Sequence, residues 1–230
     1  MLYNNTIISM KKSYFCFVSM LLAVVVVSVS CTDFFSTSWA SWAARDPDNL
    51  IPAVTPENVD ELIAKAENNP DLSLALLKKI QSAANSASGT DKQKLQNSAL
   101  EAAVNAAGLG QAVLGVATDL GSLEDDSKSI VIDAINGMDN LDDAASILAD
   151  ILAGGFDDST ADPNDMAMAA VVLLAAEAKK SPGGIDDYID HFQDTPLNPV
   201  EQLAVDLALA AKDNVSGPLK DLLDSLNLIS

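Results

Sequence analysis

The sequence predicts an all-α fold of stacked helical hairpins, and two patterns carry this prediction. First, Thr55-Pro56-Glu57, Asn69-Pro70-Asp71, Asp162-Pro163 and Asn198-Pro199 each place a side-chain N-cap before a first-turn proline. Second, apolar residues follow these openings at three-and-four spacing, whereas no run of the chain alternates with period two. We therefore expect a helical domain over residues 55–230 and no β-sheet.

The expected helix starts recur at a nearly constant interval. The first helices begin near residues 56, 92, 126, 163 and 199, which are 34 to 37 residues apart. Each interval holds a first helix, a break and a shorter second helix, with breaks at Gly108, 137–140, 182–184 and 217–218. Five such hairpins stacked side by side would form a short α-solenoid.

This period and topology resemble those of the tetratricopeptide repeat family. The resemblance is one of period only, because the aromatic and Gly-Tyr positions of that family are not visible in this chain. It implies an α-solenoid in which successive first helices form one continuous surface. An irregular helical bundle is the alternative.

One stretch of the chain is apolar on nearly every side. It runs from Met166 to Ala176 and is bracketed by charges, so it is too short to cross a bilayer. The segment 199–212 differs, because Val200 and Leu207 there oppose Glu201 and Asp206. A helix that is apolar all round is buried all round, and we expect Met166–Ala176 to be the central core helix.

The first 30 residues have the pattern of a secretory signal peptide. Lys11 and Lys12 precede an apolar run from Tyr14 to Val27, and small residues then lead to Cys31. The run is shorter than the ~20 apolar residues of a membrane-spanning helix. Met10 makes a more typical signal start than Met1, so translation from either residue stays open.

The end of this signal resembles the lipobox of bacterial lipoproteins. The residues are Val27-Ser28-Val29-Ser30-Cys31, with Ser28 where leucine is usual, as in spirochaetal lipoproteins. The resemblance implies a type II signal peptide, acylation of Cys31 with palmitate among the acyl chains, and a membrane anchor in the bacterial cell envelope or periplasm. The leaflet stays open. The alternative is a soluble secreted protein with a free cysteine.

Residues 31–54 form a separate tether rich in serine, threonine and alanine. Four aromatic side chains crowd its first half, and the only arginine of the chain, Arg45, follows them. The aromatics are Phe34, Phe35, Trp39 and Trp42. They could rest at the membrane interface, dock on the helical domain or contact a partner. We favour docking on the domain.

The charge balance excludes one class of partner. The chain has 33 acidic and 13 basic residues and a formal net charge of -20, and loss of Lys11 and Lys12 with the signal makes it -22. Such a body repels nucleic acid backbones and anionic lipid head groups. We therefore expect attachment through the lipid on Cys31 and no nucleic acid partner.

Sequence motifs for catalysis, metals or cofactors are weak. The single histidine, His191, lies among acids but has neither a second histidine nor a nucleophilic cysteine to serve. The glycines at 108, 110 and 115 have no preceding strand or lysine, so a helix break explains them better than a phosphate loop. The acidic loop 156–165 can be compared with a calcium-binding loop by counting from Asp158. Pro163 then stands at the position of the turning glycine and Ala169 at that of the bidentate glutamate, so the motif fails. We expect no enzyme, cofactor or metal site.

These observations lead to one functional expectation. The chain resembles the helical-repeat lipoproteins of spirochaetes, including those that accompany transport systems, which implies a lipid-anchored module that binds or scaffolds a protein partner. A basic or amphipathic partner would suit the acids of the first helices. The alternative is a carrier of a small apolar ligand, which an enclosed cavity would favour over an open groove. The candidate partner-binding residues are Trp39, Trp42, Arg45, Glu57, Glu61, Glu101 and Glu201.

Overall fold

The computed structural model describes residues 50–109, 132–133, 135–138, 140–192, 196–216 and 220. The chain divides into two compact units, 1–46 and 47–230, and every described residue belongs to the second. The α-helices whose bounds the described residues give are α1 (Val59–Ala66), α2 (Pro70–Ser86), α3 (Gly89–Ala106), α4 (Leu141–Leu152), α5 (Pro163–Lys180), α6 (Gly184–His191) and α7 (Pro199–Lys212). A short 3-10 turn covers Asp158–Thr160, and the described residues contain no strand.

Three of the expected caps are present. The Asn69 side chain accepts a hydrogen bond from the Leu72 amide at 3.0 Å, and that of Asp162 accepts one from the Asn164 amide at 2.8 Å. Asn198 caps α7 in the same way, and each of the three helices begins with proline at its first position. The cap-and-proline signal in the sequence therefore locates these starts correctly.

The first predicted start is wrong by a few residues. Thr55 does not cap a helix; its carbonyl accepts from the Asn58 and Val59 amides in a turn, and α1 begins at Val59. The Asn58 side chain holds this turn, because its oxygen accepts from the Thr55 amide at 2.8 Å while its nitrogen donates to the Ala53 carbonyl at 2.9 Å. An asparagine that bonds to nearby backbone in this way favours a turn over a helix.

The predicted central helix is confirmed. Ten of the 18 residues of α5 are buried, and Val172 and Leu173 have no exposed surface. The helix packs against α3, α4, α6 and α7. Its many alanines, such as Ala167 and Ala170, let the neighbouring backbones approach closely.

The all-α fold is confirmed, and the regular stacking of hairpins is not. In a solenoid each hairpin contacts only its neighbours along the chain. Here α2 of the first predicted hairpin contacts α4 of the third, and α3 of the second contacts α5 of the fourth. These contacts suit the bundle alternative. The expected starts near residue 126 and the break at 217–218 lie outside the described residues.

Polar side chains of α3 hold the C-terminal end of α4 in place. The α4 sequence has no basic residue in its last turn, and Lys92 supplies a charge there by donating to the Gly154 carbonyl at 2.7 Å. The buried Gln96 donates to the Ile151 carbonyl at 2.9 Å, and Asn97 to the Thr160 carbonyl at 3.1 Å. The α3–α4 contact is therefore fixed by hydrogen bonds as well as by apolar packing.

The N-terminal side of α1 is also fastened to the domain. Ile51 is buried, Val54 packs against the core, and the Lys79 ammonium on α2 donates to the Ile51 carbonyl. The packed body thus includes residues that the sequence analysis assigned to the tether. A search of the described helices for one long and apolar enough to span a membrane finds none.

Candidate functional site

Exposed acids line α1 and the turn before it. Glu57 and Glu61 are both exposed, as expected from their positions in the sequence. A hydrogen bond with Thr55 is the largest cause of a lowered pKa at Glu57, and a hydrogen bond with Lys65 lowers that of Glu61. Lys65 lies 2.6 Å from Glu61, but such an exposed pair contributes little to stability because solvent screens it.

Glu101 on α3 lies within a group of acids drawn from three helices. Partial burial is the main cause of a raised pKa at Glu101, and repulsion from Glu67, Asp60 and Asp162 adds to it. Burial also raises the pKa of Asp165 to about 6, with further contributions from Asp162 and Glu101. We call these five carboxylates, Asp60, Glu67, Glu101, Asp162 and Asp165, the acidic surface.

One cation relieves part of this repulsion. The Lys94 ammonium on α3 lies 3.0 Å from the Asp60 carboxylate, and it contributes to the lowered pKa of Glu57. Among the described residues, the recorded ion pairs place no other lysine against the five carboxylates. The acidic surface therefore keeps an excess of negative charge at neutral pH.

The carboxylates do not converge as metal ligands. No group of three or more His, Cys, Asp or Glu side chains in the described part of the chain is placed to hold a metal ion. In the loop before α5, Asp157 instead accepts from the Ser159 amide and hydroxyl at 3.0 and 2.6 Å, and Asp162 caps α5. The pKa of Asp157 is lowered by these bonds. Capping accounts for these two acids.

Glu201 is the predicted site residue that the structure places differently. It is buried, and its carboxylate accepts hydrogen bonds from the Tyr188 hydroxyl at 2.9 Å and from the Asn198 amide at 2.7 Å. The Asn198 side chain accepts from the Glu201 amide in return, which completes a capping box. A buried, hydrogen-bonded carboxylate does not present its charge to a partner, so we leave Glu201 out of the candidate surface.

This capping box belongs to a wider hydrogen-bonded cluster at the C-terminal end of α5. Asn198 also donates to the Glu177 carboxylate at 2.8 Å, and Lys180 lies 2.9 Å from Glu177. Burial and the bond to Glu201 raise the pKa of Tyr188. We call Glu177, Lys180, Tyr188, Asn198 and Glu201 the capping cluster.

An open groove lies at the turn between α5 and α6. Its volume is about 290 Å³, and Ile132, Asn136, Lys179, Gly184 and Ile185 line it. Two of the lining residues are isoleucines, and Asn136 and Lys179 are the polar residues of the lining. Neither Asn136 nor Lys179 was singled out as a candidate in the sequence.

Four of the candidates predicted from the sequence lie outside the described residues: Cys31, Trp39, Trp42 and Arg45. His191 is the last residue of α6. Sequence reasoning did not place Glu67, Asp162 and Asp165 in the site, although Asp162 was recognised as a cap.

Comparison with known proteins gives no further guide to this surface. No protein-family model matches the chain, and no curated protein or solved structure is significantly similar to it.

Proposed function

We propose that this protein is a lipid-anchored lipoprotein of the bacterial cell envelope whose helical domain binds a protein partner through the acidic surface. The observation that carries the proposal is the mutual repulsion of five carboxylates from three helices, of which only Asp60 has a paired lysine, Lys94. Unbalanced charge of this kind steers an oppositely charged partner and raises its association rate. A basic or amphipathic helical segment is the partner that complements it.

The exposed acids of α1 and of the turn before it extend this surface. Glu57 and Glu61 add two carboxylates within one turn of Asp60, and only Lys65 and Lys94 oppose them. A partner that brings lysine or arginine side chains would exchange repulsion for attraction. Because exposed charges are screened over about 10 Å at 0.1 M ionic strength, binding should weaken as salt is raised.

The partner should first be captured from the native envelope by proximity labelling, and its affinity then measured across a salt series. The test variant combines Glu57→Gln, Glu61→Gln and Glu101→Gln. The matched control neutralises three exposed acids elsewhere, Asp142→Asn, Asp143→Asn and Asp213→Asn. We expect the test variant to weaken binding at least tenfold, about 1.4 kcal/mol, and to flatten the salt dependence. Equal affinities for both variants would refute the acidic surface, together with its extension by Glu57 and Glu61, as the binding site.

The anchor needs a separate experiment, because it rests on the lipobox resemblance of residues 27–31. Cells expressing the chain should be labelled with a palmitate analogue. We expect the native chain to be labelled and Cys31→Ser to be unlabelled and released from the membrane fraction. Equal labelling of both chains would contradict the anchor without bearing on partner binding.

The alternative of a carrier for a wholly apolar ligand receives less support. Such a carrier needs an enclosed apolar cavity. Among the described residues, the groove at the turn between α5 and α6 is open, and the polar residues Lys179 and Asn136 are part of its lining.

A further inference from the structure

Lys179 differs from the other groove residues in having a charge without a partner. Three of the described lysines pair with acids, namely Lys65, Lys94 and Lys180. Two others donate to backbone carbonyls, namely Lys79 and Lys92. Lys179 is exposed and forms no ion pair or hydrogen bond with any residue that the structure describes. Lys179 therefore brings an unpaired positive charge to the groove of a chain with 33 acidic residues.

The rest of the groove limits what can meet this charge. Ile132 and Ile185 supply aliphatic surface, and Ile185 is anchored in the core with 6% of its surface exposed. Asn136 adds an amide that both donates and accepts hydrogen bonds. A volume of about 290 Å³ lies just below the roughly 300–1,000 Å³ of sites for drug-sized ligands, so the groove suits a smaller molecule.

From this arrangement we infer that the groove binds a small carboxylic acid with a short aliphatic chain. The carboxylate would accept hydrogen bonds from the Lys179 ammonium and the Asn136 amide, and the aliphatic chain would contact Ile132 and Ile185. A charge-assisted hydrogen bond is roughly twice as strong as a neutral one, so the groove should bind a carboxylate more tightly than a neutral polar group on the same aliphatic chain. This site is independent of the acidic surface, which is built from α1, α3 and the N-terminal end of α5.

The aliphatic part of the ligand distinguishes this site from simple anion binding. The body as a whole is strongly acidic, so an inorganic anion gains little from approaching it. Burial of apolar surface adds about 25 cal/mol per Å², which only a ligand with an aliphatic chain obtains. An open groove of this size suits weak binding, with a Kd of about 1 mM.

The probe for the test is 4-methylpentanoate, titrated into the ¹⁵N-labelled protein at neutral pH. The comparison ligand is 4-methylpentan-1-ol, which keeps the aliphatic chain and lacks the charge. We expect saturable shifts of the Lys179, Gly184 and Ile185 amides with the acid and at least tenfold weaker binding of the alcohol, about 1.4 kcal/mol. Equal binding of acid and alcohol, or no saturable shift of these amides, would overturn the proposal.

Lys179→Gln tests the charge within the protein. Lys78→Gln is the matched control, because Lys78 is an exposed lysine on α2 for which no ion pair is recorded. We expect Lys179→Gln to weaken 4-methylpentanoate binding about tenfold, by loss of a charge-assisted bond, and Lys78→Gln to leave it unchanged. Wild-type affinity in Lys179→Gln, or an equal loss in both variants, would refute a specific contact. The partner-binding proposal would survive either result.

Discussion

The two ends of α5 hold carboxylates in contrasting surroundings. At the N-terminal end, Asp162 and Asp165 lie close enough to Glu101 for charge repulsion to raise the pKa of Asp165 to about 6, in addition to the effect of burial. At the C-terminal end, Glu177 is 14% exposed, yet its two oxygens accept from Lys180 and Asn198. Both ends hold carboxylates. At the first, Asp162 accepts from the Asn164 amide while Asp165 is half-buried beside other acids, and at the second both oxygens of Glu177 have donors.

This difference shows that the presence of hydrogen-bond donors decides whether a carboxylate stabilises or destabilises the fold. A buried carboxylate stabilises a fold where donors replace the water it has lost, and it destabilises the fold where they do not. The capping cluster is of the first kind and holds α5, α6 and α7 together. Within the acidic surface, Asp165 is of the second kind, because burial and the neighbouring Asp162 and Glu101 charges raise its pKa, and an external cation could supply what it lacks.

The most severe test places a carboxylate where no donor exists. Leu173→Asp introduces an acid into the fully buried face of α5, and the desolvation cost of several kcal/mol approaches the whole stability of a domain, about 5–15 kcal/mol. We expect loss of cooperative thermal unfolding by circular dichroism. Ser146→Asp, on an exposed position of α4, is the control and should unfold like the native chain. Unchanged unfolding of Leu173→Asp would show that α5 is not central.

A smaller effect is expected when a satisfied carboxylate is removed. Glu201→Ala deletes the capping box and leaves the Tyr188 hydroxyl without its acceptor, so we expect a loss of about 2 kcal/mol in urea unfolding. Glu61→Ala, which removes an exposed acid, should leave the urea midpoint nearly unchanged. Equal losses in the two variants would erase the distinction between the capping cluster and the exposed acids.

Much of the fold follows from local sequence signals. The openings at Asn69, Asp162 and Asn198 locate three helix starts, because a cap and a proline act within one turn of the chain. The turn at 182–184 separates α5 from α6 as expected. The bond from the Asn198 amide to Glu201 could also have been anticipated, since Asn198 and Glu201 have the spacing of a capping box.

The acidic surface could be anticipated only in part. Glu101 and Asp165 are 64 residues apart in the chain, and they approach because α3 packs directly against α5. Helical periodicity identifies the apolar face of each helix, but it does not specify which two faces meet. A regular solenoid would have placed α3 and α5 in hairpins that do not touch.

The N-terminal end of α5 can be tested by pH. In the folded chain the pKa of Asp165 is about 6, above its ordinary value of 3.8, so the folded state binds this proton more tightly than the unfolded state does. The ionised group therefore destabilises the fold above pH 6, and this penalty is relieved as the pH falls toward 4. Glu101 acts in the same direction. We expect the urea midpoint to rise between pH 7.5 and pH 5.

Asp165→Asn should reproduce this gain without a change of pH. We expect it to raise stability at pH 7.5 by about 1 kcal/mol, which allows for solvent screening of a half-buried group, and to flatten the rise toward pH 5. Asp142→Asn, at an exposed position of α4, is the matched control and should leave the pH profile unchanged. Destabilisation by Asp165→Asn at pH 7.5 would mean that this carboxylate has a donor after all.

The smallest expected effect concerns Lys94, the one lysine paired with the acidic surface. Lys94→Gln removes an exposed ion pair with Asp60, which costs about 0.5 kcal/mol, and it should also raise the pKa of Glu57. Because the charges are exposed, the cost should be largest at low ionic strength and should vanish near 1 M salt, where the Debye length is about 3 Å. Lys78→Gln makes the same charge change on α2 and should show no such salt dependence. If the loss of stability in Lys94→Gln persists at high salt, Lys94 stabilises the fold by packing of its aliphatic stem rather than by its charge. The carboxylates of the acidic surface would then repel one another less than their number suggests.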